Sequence, residues 1–221
     1  LNDAQLETTY PVAVGFFTNE EGVRFQPDMM GSMVHQGHLP VEEMLSSVDR
    51  EELCFDDELE RIGYKGNVPV NSMCPMAFLE LHVEQGPVLE QENITIGAVQ
   101  GVQGLSWREY TFTGTANHAG TTPMTLRKDA GVAAAEIVTF ARKLTVDISG
   151  DQVATAGTII LEPNMVNVVP GKATITVDLR NTDNDNLCKA ENKLDTHAHE
   201  LAQREGLELE SKVLARYNPT P

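Results

Sequence analysis

The sequence is poor in positive charge, in cysteine and in long apolar runs. It has 16 Lys and Arg residues against 33 Asp and Glu residues, so its formal net charge at pH 7 is −17. An acidic chain repels nucleic-acid phosphates, and we therefore expect no nucleic-acid partner. The three cysteines are an odd number without zinc-ligand spacing, which predicts free thiols in a reducing compartment.

Targeting and membrane signals are also missing. No apolar run approaches the ~20 residues that a transmembrane helix needs, and the first residues have no signal-peptide pattern. We therefore predict a cytoplasmic protein with no membrane partner. The opening residues, LNDAQLETTYPVAVGFF, lack an initiator Met and are typical of a helix end that leads into a strand. The closing residues, RYNPTP, are typical of a linker, so we expect a fragment of a longer protein.

Residues 1–100 predict part of an α/β domain. Val12–Phe17 and Phe78–Val83 are short apolar runs of the kind found in strands that are covered on both faces. The acidic residues 41–62 predict solvated helices, and residues 85–92 predict a short helix or turn. We therefore expect an incomplete catalytic domain of the α/β type in this region.

Residues 101–215 predict a smaller α+β domain. Strands are expected at 107–114, 153–161, 173–180 and 207–215, and helices at 126–144 and 184–205. Their order is β-α-β-β-α-β, which is the ferredoxin-like split βαβ pattern. Residues 216–221 are then expected to be a linker that returns to the first domain.

The first candidate site residues follow the two apolar runs of the α/β region. Glu20 and Glu21 come directly after the first run, and His82 lies at the end of the second. Ligands of open α/β sheets bind beyond the carboxyl ends of the strands. A carboxylate there can act as a base while its neighbour and an imidazole bind metal. The alternatives are a solvated acidic corner and a core histidine.

Three more candidates belong to the α+β region. His118 lies in the loop TANHAGTTPM, where it could stabilise an oxyanion or simply occupy a turn. Asn167 and Arg180 flank a Pro-Gly turn, and Arg180 lies on the polar face of its predicted strand. An arginine in that position can bind a carboxylate through two hydrogen bonds. Its structural alternative is a surface pair with Asp178 or Asp183.

Four strings in this order carry a resemblance to a known family: TNEEGVRF, LELHVEQGPVLE, GVQGLSWREYTFTGTANHAGTTPMTLRKDA and VNVVPGKATITVDLR. Together they resemble the N-carbamoyl-L-amino-acid hydrolase, β-ureidopropionase and allantoate amidohydrolase family. This family belongs to the dinuclear metal aminoacylase and carboxypeptidase superfamily. The resemblance implies a partial metallopeptidase-like α/β catalytic domain and a ferredoxin-like α+β domain that acts as lid and dimerisation domain.

The resemblance also implies a role for each matching residue. Glu20 would be the general base, Glu21 and His82 metal ligands, and Gln85 a substrate contact. His118 would stabilise the tetrahedral intermediate from the partner subunit of a homodimer. Asn167 and Arg180 would bind the carboxylate end of an N-carbamoyl amino acid, a small-molecule substrate.

The family's remaining metal ligands have no counterpart in this chain. The resemblance implies two divalent metal ions, and carboxylate and imidazole ligands suit Zn, Mn, Co or Ni. It also implies further ligands, namely an upstream His, a bridging Asp and a His near the C-terminus. We therefore predict that these 221 residues alone are inactive, although the parent protein hydrolyses the ureido C–N bond to amino acid, ammonia and carbon dioxide. The alternatives are a β-ureidopropionase, an allantoate amidohydrolase or, in another class, a non-catalytic dimerisation or binding module.

Overall fold

The computed structural model describes residues 3–148 and 151–220. Its contacts divide the chain into two compact units, Leu1–Glu84 and Gln85–Pro221, a division earlier in the chain than the predicted one after residue 100.

From residue 3 onward, the first unit contains three short helices, α1 (Met30–His35), α2 (Val41–Leu45) and α3 (Phe55–Arg61). The acidic region predicted as helical therefore forms two helices. The turn between them is fixed by Asp49, whose Oδ1 accepts from the backbone N–H groups of Glu51 and Leu53. A small core joins the helices to the preceding loop, with Phe25 and Phe55 packed edge to face at 4.9 Å.

The two strands predicted in this unit are wrong as local structure. Neither Val12–Phe17 nor Phe78–Val83 forms a strand, and no helix occurs in residues 3–10. Phe16 is 93% exposed and Leu79 is 97% exposed. A strand needs a neighbour to satisfy its backbone N–H and C=O groups, and the described residues of this unit supply none.

The second unit begins with helix α4 (Val88–Gln91) and contains a four-stranded antiparallel sheet. Its further elements are β1 (Gly104–Thr113), β2 (Asn117–His118), α5 (Ala130–Asp147), β3 (Val153–Glu162), β4 (Val168–Val169), β5 (Lys172–Asn181), α6 (Asn184–Glu205) and β6 (Glu208–Tyr217). The sheet order is β3-β5-β1-β6, and β2 pairs with β4 in a separate ribbon. Leaving this ribbon aside, the order β-α-β-β-α-β was predicted from the sequence and is confirmed.

The core of this unit lies between one face of the sheet and the helices α5 and α6. Along β5 every second residue is buried, from Ala173 to Asn181, which matches its apolar alternation. Tyr110 and Phe112 of β1 are fully buried against the same helices. Full burial of a large apolar side chain contributes roughly 1.5–3 kcal/mol, so this core is the main stabilising element of the unit.

Capping residues set the start of α5 and both limits of α6. Asp129 accepts from the N–H groups of Gly131 and Val132 at the start of α5, which therefore begins later than predicted. Asp183 caps α6, and Gly206 ends it in the left-handed conformation, with φ 65°.

A polar network joins α6 to the sheet beneath it. Asp195 accepts from the hydroxyl of Tyr110 at 2.6 Å and from Nη1 of Arg108 at 2.9 Å. One turn earlier, Glu191 accepts from Nε of Arg216 at 2.7 Å. Burial, together with the hydrogen bond to Asp195, raises the pKa of Tyr110 far above its usual range, so the hydroxyl stays protonated.

No helix in the described ranges is both long enough and apolar enough to cross a membrane.

Candidate functional site

The loop that carries Glu20 and Glu21 is held in place by hydrogen bonds to its own backbone groups. Asn19, with φ 52°, donates from Nδ2 to the carbonyl groups of Phe25 and Pro27, both at 3.0 Å. The carbonyl of Glu20 accepts from the N–H of Met29 at 2.6 Å. Gly22 has φ 60°, and a Cβ there would meet the backbone of Asp28 at 2.7 Å, so this loop requires glycine. Both glutamates are exposed at this turn.

Arg24 anchors the far side of the same loop to the acidic helices. Its Nε donates to Asp49 at 2.7 Å and its Nη1 donates to Glu58 at 2.6 Å. Hydrogen bonds from Arg61 and Arg24 lower the pKa of Glu58 to about 2. Some of the acidity in this region is therefore structural and holds the loop of Glu20 and Glu21 in place.

His82, the predicted metal ligand, is exposed and lies beside another carboxylate. Its Nε2 is 2.8 Å from Oε1 of Glu80. Across residues 3–148 and 151–220, no group of three or more His, Cys, Asp or Glu side chains gathers where it could hold a metal ion. Glu21 and His82 have the right donor types, but by themselves they do not form a metal site.

The structure brings two of the predicted residues together on the β2–β4 ribbon. His118 pairs with Val168, and Asn117 pairs with Val169. The next residue, Ala119, donates its N–H to the carbonyl of Asn167 at 2.9 Å. Asn167 therefore lies next to His118, although the two are 49 positions apart in the chain (167 minus 118).

A hydrogen bond within the loop orients the imidazole of His118. The N–H of Gly120 donates to Nδ1 at 3.1 Å, so the neutral ring carries its proton on Nε2. Arg127 closes the loop by donating to the carbonyl groups of Ala119 and Thr122. The exposed ring is thereby able to donate a hydrogen bond from Nε2, as stabilisation of an oxyanion requires.

Arg180 lies on the face of the sheet opposite the helices. Its side chain pairs with Asp178, and the Nη2 to Oδ2 distance is 3.0 Å. This is one of the two pairs that the structural alternative predicted for Arg180. The strand end is fixed by the buried residues Gln152 and Asn181, since Gln152 donates to the carbonyl of Arg180 and accepts from Asn181.

The predicted residues fall in both units. Glu20, Glu21 and His82 belong to the first unit, and Gln85 begins the second, with φ 54° and an exposed side chain. The β2–β4 ribbon and the clamp made by Arg127 were not predicted from the sequence. Two-residue strands leave no periodic signal in a sequence. The arginine that closely follows the Gly/Thr/Pro-rich loop was a signal from which the clamp could have been predicted.

Comparison with known proteins finds long relatives that match nearly the whole chain. An N-carbamoyl-L-amino-acid amidohydrolase of Rhizobium meliloti is 37% identical over 219 residues, which are 99% of this chain and 53% of the relative. A ureidoglycolate hydrolase of Oryza sativa subsp. japonica is 32% identical over 211 residues, 92% of this chain and 44% of the relative. No protein-family model matches the chain.

A solved structure agrees with these relatives. An amidase of the hydantoinase/carbamoylase family from Burkholderia multivorans superposes with a TM-score of 0.90 at 40% identity, over 99% of this chain and 53% of its own. The chain therefore resembles amidases of the hydantoinase/carbamoylase family over almost its whole length. The predicted family and fold class are thus confirmed, and the chain spans about half the length of the curated relatives that it matches.

Proposed function

We propose that this hydantoinase/carbamoylase chain is part of an enzyme that hydrolyses the ureido C–N bond of N-carbamoyl-L-amino acids. The observation that carries the proposal is the ribbon that joins His118 to Asn167, with Nδ1 of His118 accepting from Gly120. A relative at 37% identity that is named for this substrate class supports it.

The chain's own residues can divide the chemistry among them. Water adds to the ureido carbon, and the exposed carboxylate of Glu20 takes its proton and passes it to the leaving nitrogen. His118 donates from Nε2 to the oxyanion that forms on the ureido oxygen. Loss of ammonia leaves a carbamate, which releases carbon dioxide and the free amino acid.

The remaining residues bind the substrate. Asn167 and Arg180 hold its carboxylate, and Gln85 contacts it near the reacting group. Fixing the far end in this way brings the ureido carbon to the water in a reactive geometry.

Two divalent metal ions, Zn, Mn, Co or Ni, are part of the proposal for the whole protein. Glu21 and His82 would supply two of the ligands, and the others would come from sequence outside this chain. The test is the metal content of the full-length protein measured by mass spectrometry. We expect Glu21→Ala and His82→Ala to lower the bound metal, while Glu42→Ala, which removes an exposed acid of α2, leaves it unchanged.

We propose that the whole protein is a homodimer that associates through the second unit, its lid domain. The edge strand β3 supports this, because Val153, Ile159 and Ile160 of that strand are 45%, 48% and 57% exposed. We further propose that His118 enters the active site of the partner subunit. Asn167 then enters the same site, because it directly precedes β4 and its carbonyl accepts from the N–H of Ala119, the residue after His118.

Mixed dimers test this arrangement. In a dimer of His118→Ala with Asn167→Ala subunits, we expect no restored activity, because each site lacks one of the two residues. A dimer of His118→Ala with Glu20→Gln subunits should regain about half the activity of the wild-type dimer, since one of its two sites is complete. Restored activity in the first mixture would show that the two residues act from different subunits.

Ammonia release by the full-length protein tests the function itself. We expect release from N-carbamoyl-L-α-amino acids and less from N-carbamoyl-β-alanine, allantoate or ureidoglycolate, with dependence on added Mn or Zn. Preference for one of the other three would reassign the substrate. No release from any, with metal bound and the dimer intact, would favour the binding module. The 221-residue chain alone should release none. A cytoplasmic location without nucleic-acid or membrane partners stays a prediction from composition.

A further inference from the structure

The pair between Asp178 and Arg180 determines which edge of the guanidinium group a ligand can reach. We propose that Asp178 is a positioning residue that presents Arg180 to the substrate carboxylate. This inference rests on the proposed function, because it takes Arg180 as the carboxylate-binding residue.

The geometry occupies one edge of the guanidinium and leaves another open. The two residues are two apart on β5 and therefore share a face of the sheet. Nε of Arg180 lies 3.2 and 3.0 Å from the two carboxylate oxygens of Asp178, and Nη2 lies 3.0 Å from Oδ2. Nη1 of Arg180 has no hydrogen-bond partner in the described part of the chain. The edge shared by Nη1 and Nη2 can thus donate two parallel hydrogen bonds to a second carboxylate.

The backbone beneath this pair is already fixed, so the side chain is the part that needs positioning. Asn181 is fully buried and Gln152 is 6% exposed, and together they hold the carbonyl of Arg180 at the strand end. The Arg180 side chain itself is 42% exposed, and that of Asp178 is 29% exposed. A long, exposed side chain samples many rotamers unless a partner restrains it.

The pair also affects which anions bind. Asp178 compensates the charge of Arg180, so a ligand gains little from bare electrostatic attraction at this position. Two parallel hydrogen bonds from the open edge favour a planar carboxylate that arrives in line with the guanidinium. Asp178 therefore makes Arg180 selective for geometry rather than for negative charge alone.

The test uses the full-length protein and two substrates, an N-carbamoyl-L-amino acid and its carboxamide, which lacks the carboxylate. Asp178→Asn keeps the shape of the side chain but leaves only one acceptor for the two N–H groups. We expect it to raise KM for the carboxylate substrate by about tenfold, with kcat within about twofold, because substrate positioning is lost. KM for the carboxamide should not change, and Asp178→Glu should recover part of the loss.

The matched control is Glu162→Gln at the other end of the same sheet. It removes the same unit of charge from an exposed pair, since Glu162 lies 3.3 Å from Nζ of Lys172. We expect it to leave KM for both substrates unchanged.

Each other outcome has a definite meaning. An equal rise of KM for both substrates would overturn the inference in favour of a general structural role. An unchanged or lower KM for the carboxylate would also overturn it, because Asp178 would then be inert or a competitor of the substrate. Failure of the wild-type protein to release ammonia from the carboxylate substrate would instead refute the proposed function.

Discussion

Removal of the Asp195 carboxylate should destabilise the second unit. The effect should be larger than that of removing an exposed acid of the same helix. Asp195 is the hydrogen-bond acceptor for the hydroxyl of Tyr110 and for Nη1 of Arg108. Tyr110 is fully buried, so Asp195→Ala leaves a hydroxyl without a partner in the core.

The magnitude follows from these two losses. An unsatisfied buried hydroxyl costs about 1–3 kcal/mol. Loss of the ion pair adds less than the several kcal/mol of a fully buried pair, because the side chains of Arg108 and Asp195 are 16% and 31% exposed. We therefore expect a loss of about 2–4 kcal/mol in the free energy of unfolding. Tyr110→Phe removes the hydroxyl itself, so the double variant should recover about 1 kcal/mol relative to the sum.

Urea unfolding followed by tryptophan fluorescence is a suitable assay. The chain has one tryptophan, Trp107, which lies in β1 next to Arg108. Glu200→Ala is the matched control, since it removes an exposed acid from the same helix and should change stability by less than about 0.5 kcal/mol. A loss below about 1 kcal/mol for Asp195→Ala, or strict additivity with Tyr110→Phe, would refute the reasoning.

Three further predictions also concern stability. The pKa of Glu58 is lowered from 4.5 to about 2, so its contribution to stability is complete above pH 4.5 and is lost as the pH falls towards 2. Glu58→Gln should therefore reduce the dependence of the free energy of unfolding on pH between 4.5 and 2. An unchanged pH profile would contradict this. Burial lowers the pKa of His197 from 6.5, against an opposing effect of Glu136, so stability should fall as the pH drops below 6.5. His197→Gln should remove that dependence on pH, and melting temperatures measured at several pH values test this. Gly31→Ala would place a Cβ 2.8 Å from the backbone N and O of Thr18 and should cost roughly 1–3 kcal/mol, whereas a neutral effect would show that the loop relaxes.

The sequence predicted the second unit well because its signals are local. Helix α6 was predicted from Asn184 to Glu205 and has those limits, since Gly206 favours the left-handed conformation that ends it. The alternation from Ala173 to Arg180 predicted both the strand and the face that carries Arg180. These patterns depend on neighbours within a few residues.

The first unit shows where local signals fail. The apolar runs at Val12–Phe17 and Phe78–Val83 were predicted as strands, but a strand also depends on a partner strand that the described residues do not provide. Side-chain networks were equally out of reach of the sequence. Nothing in it linked Glu191 to Arg216, which lies 25 positions later and on a different element. The proximity of His118 and Asn167 likewise depends on the β2–β4 pairing alone.

The exposed apolar runs of the first unit should make this chain a target for chaperones and proteases in a cell. Side chains such as Phe16 and Leu79 are almost wholly exposed to water, as apolar side chains are in a folding intermediate. Chaperones and proteases act on such segments, and unpaired β-prone segments also associate with one another. When these 221 residues are expressed alone, we expect low yield, co-purification with chaperones and rapid degradation. Substitution of Phe16 and Leu79 by polar residues should reduce chaperone binding, because fewer apolar side chains would then be exposed.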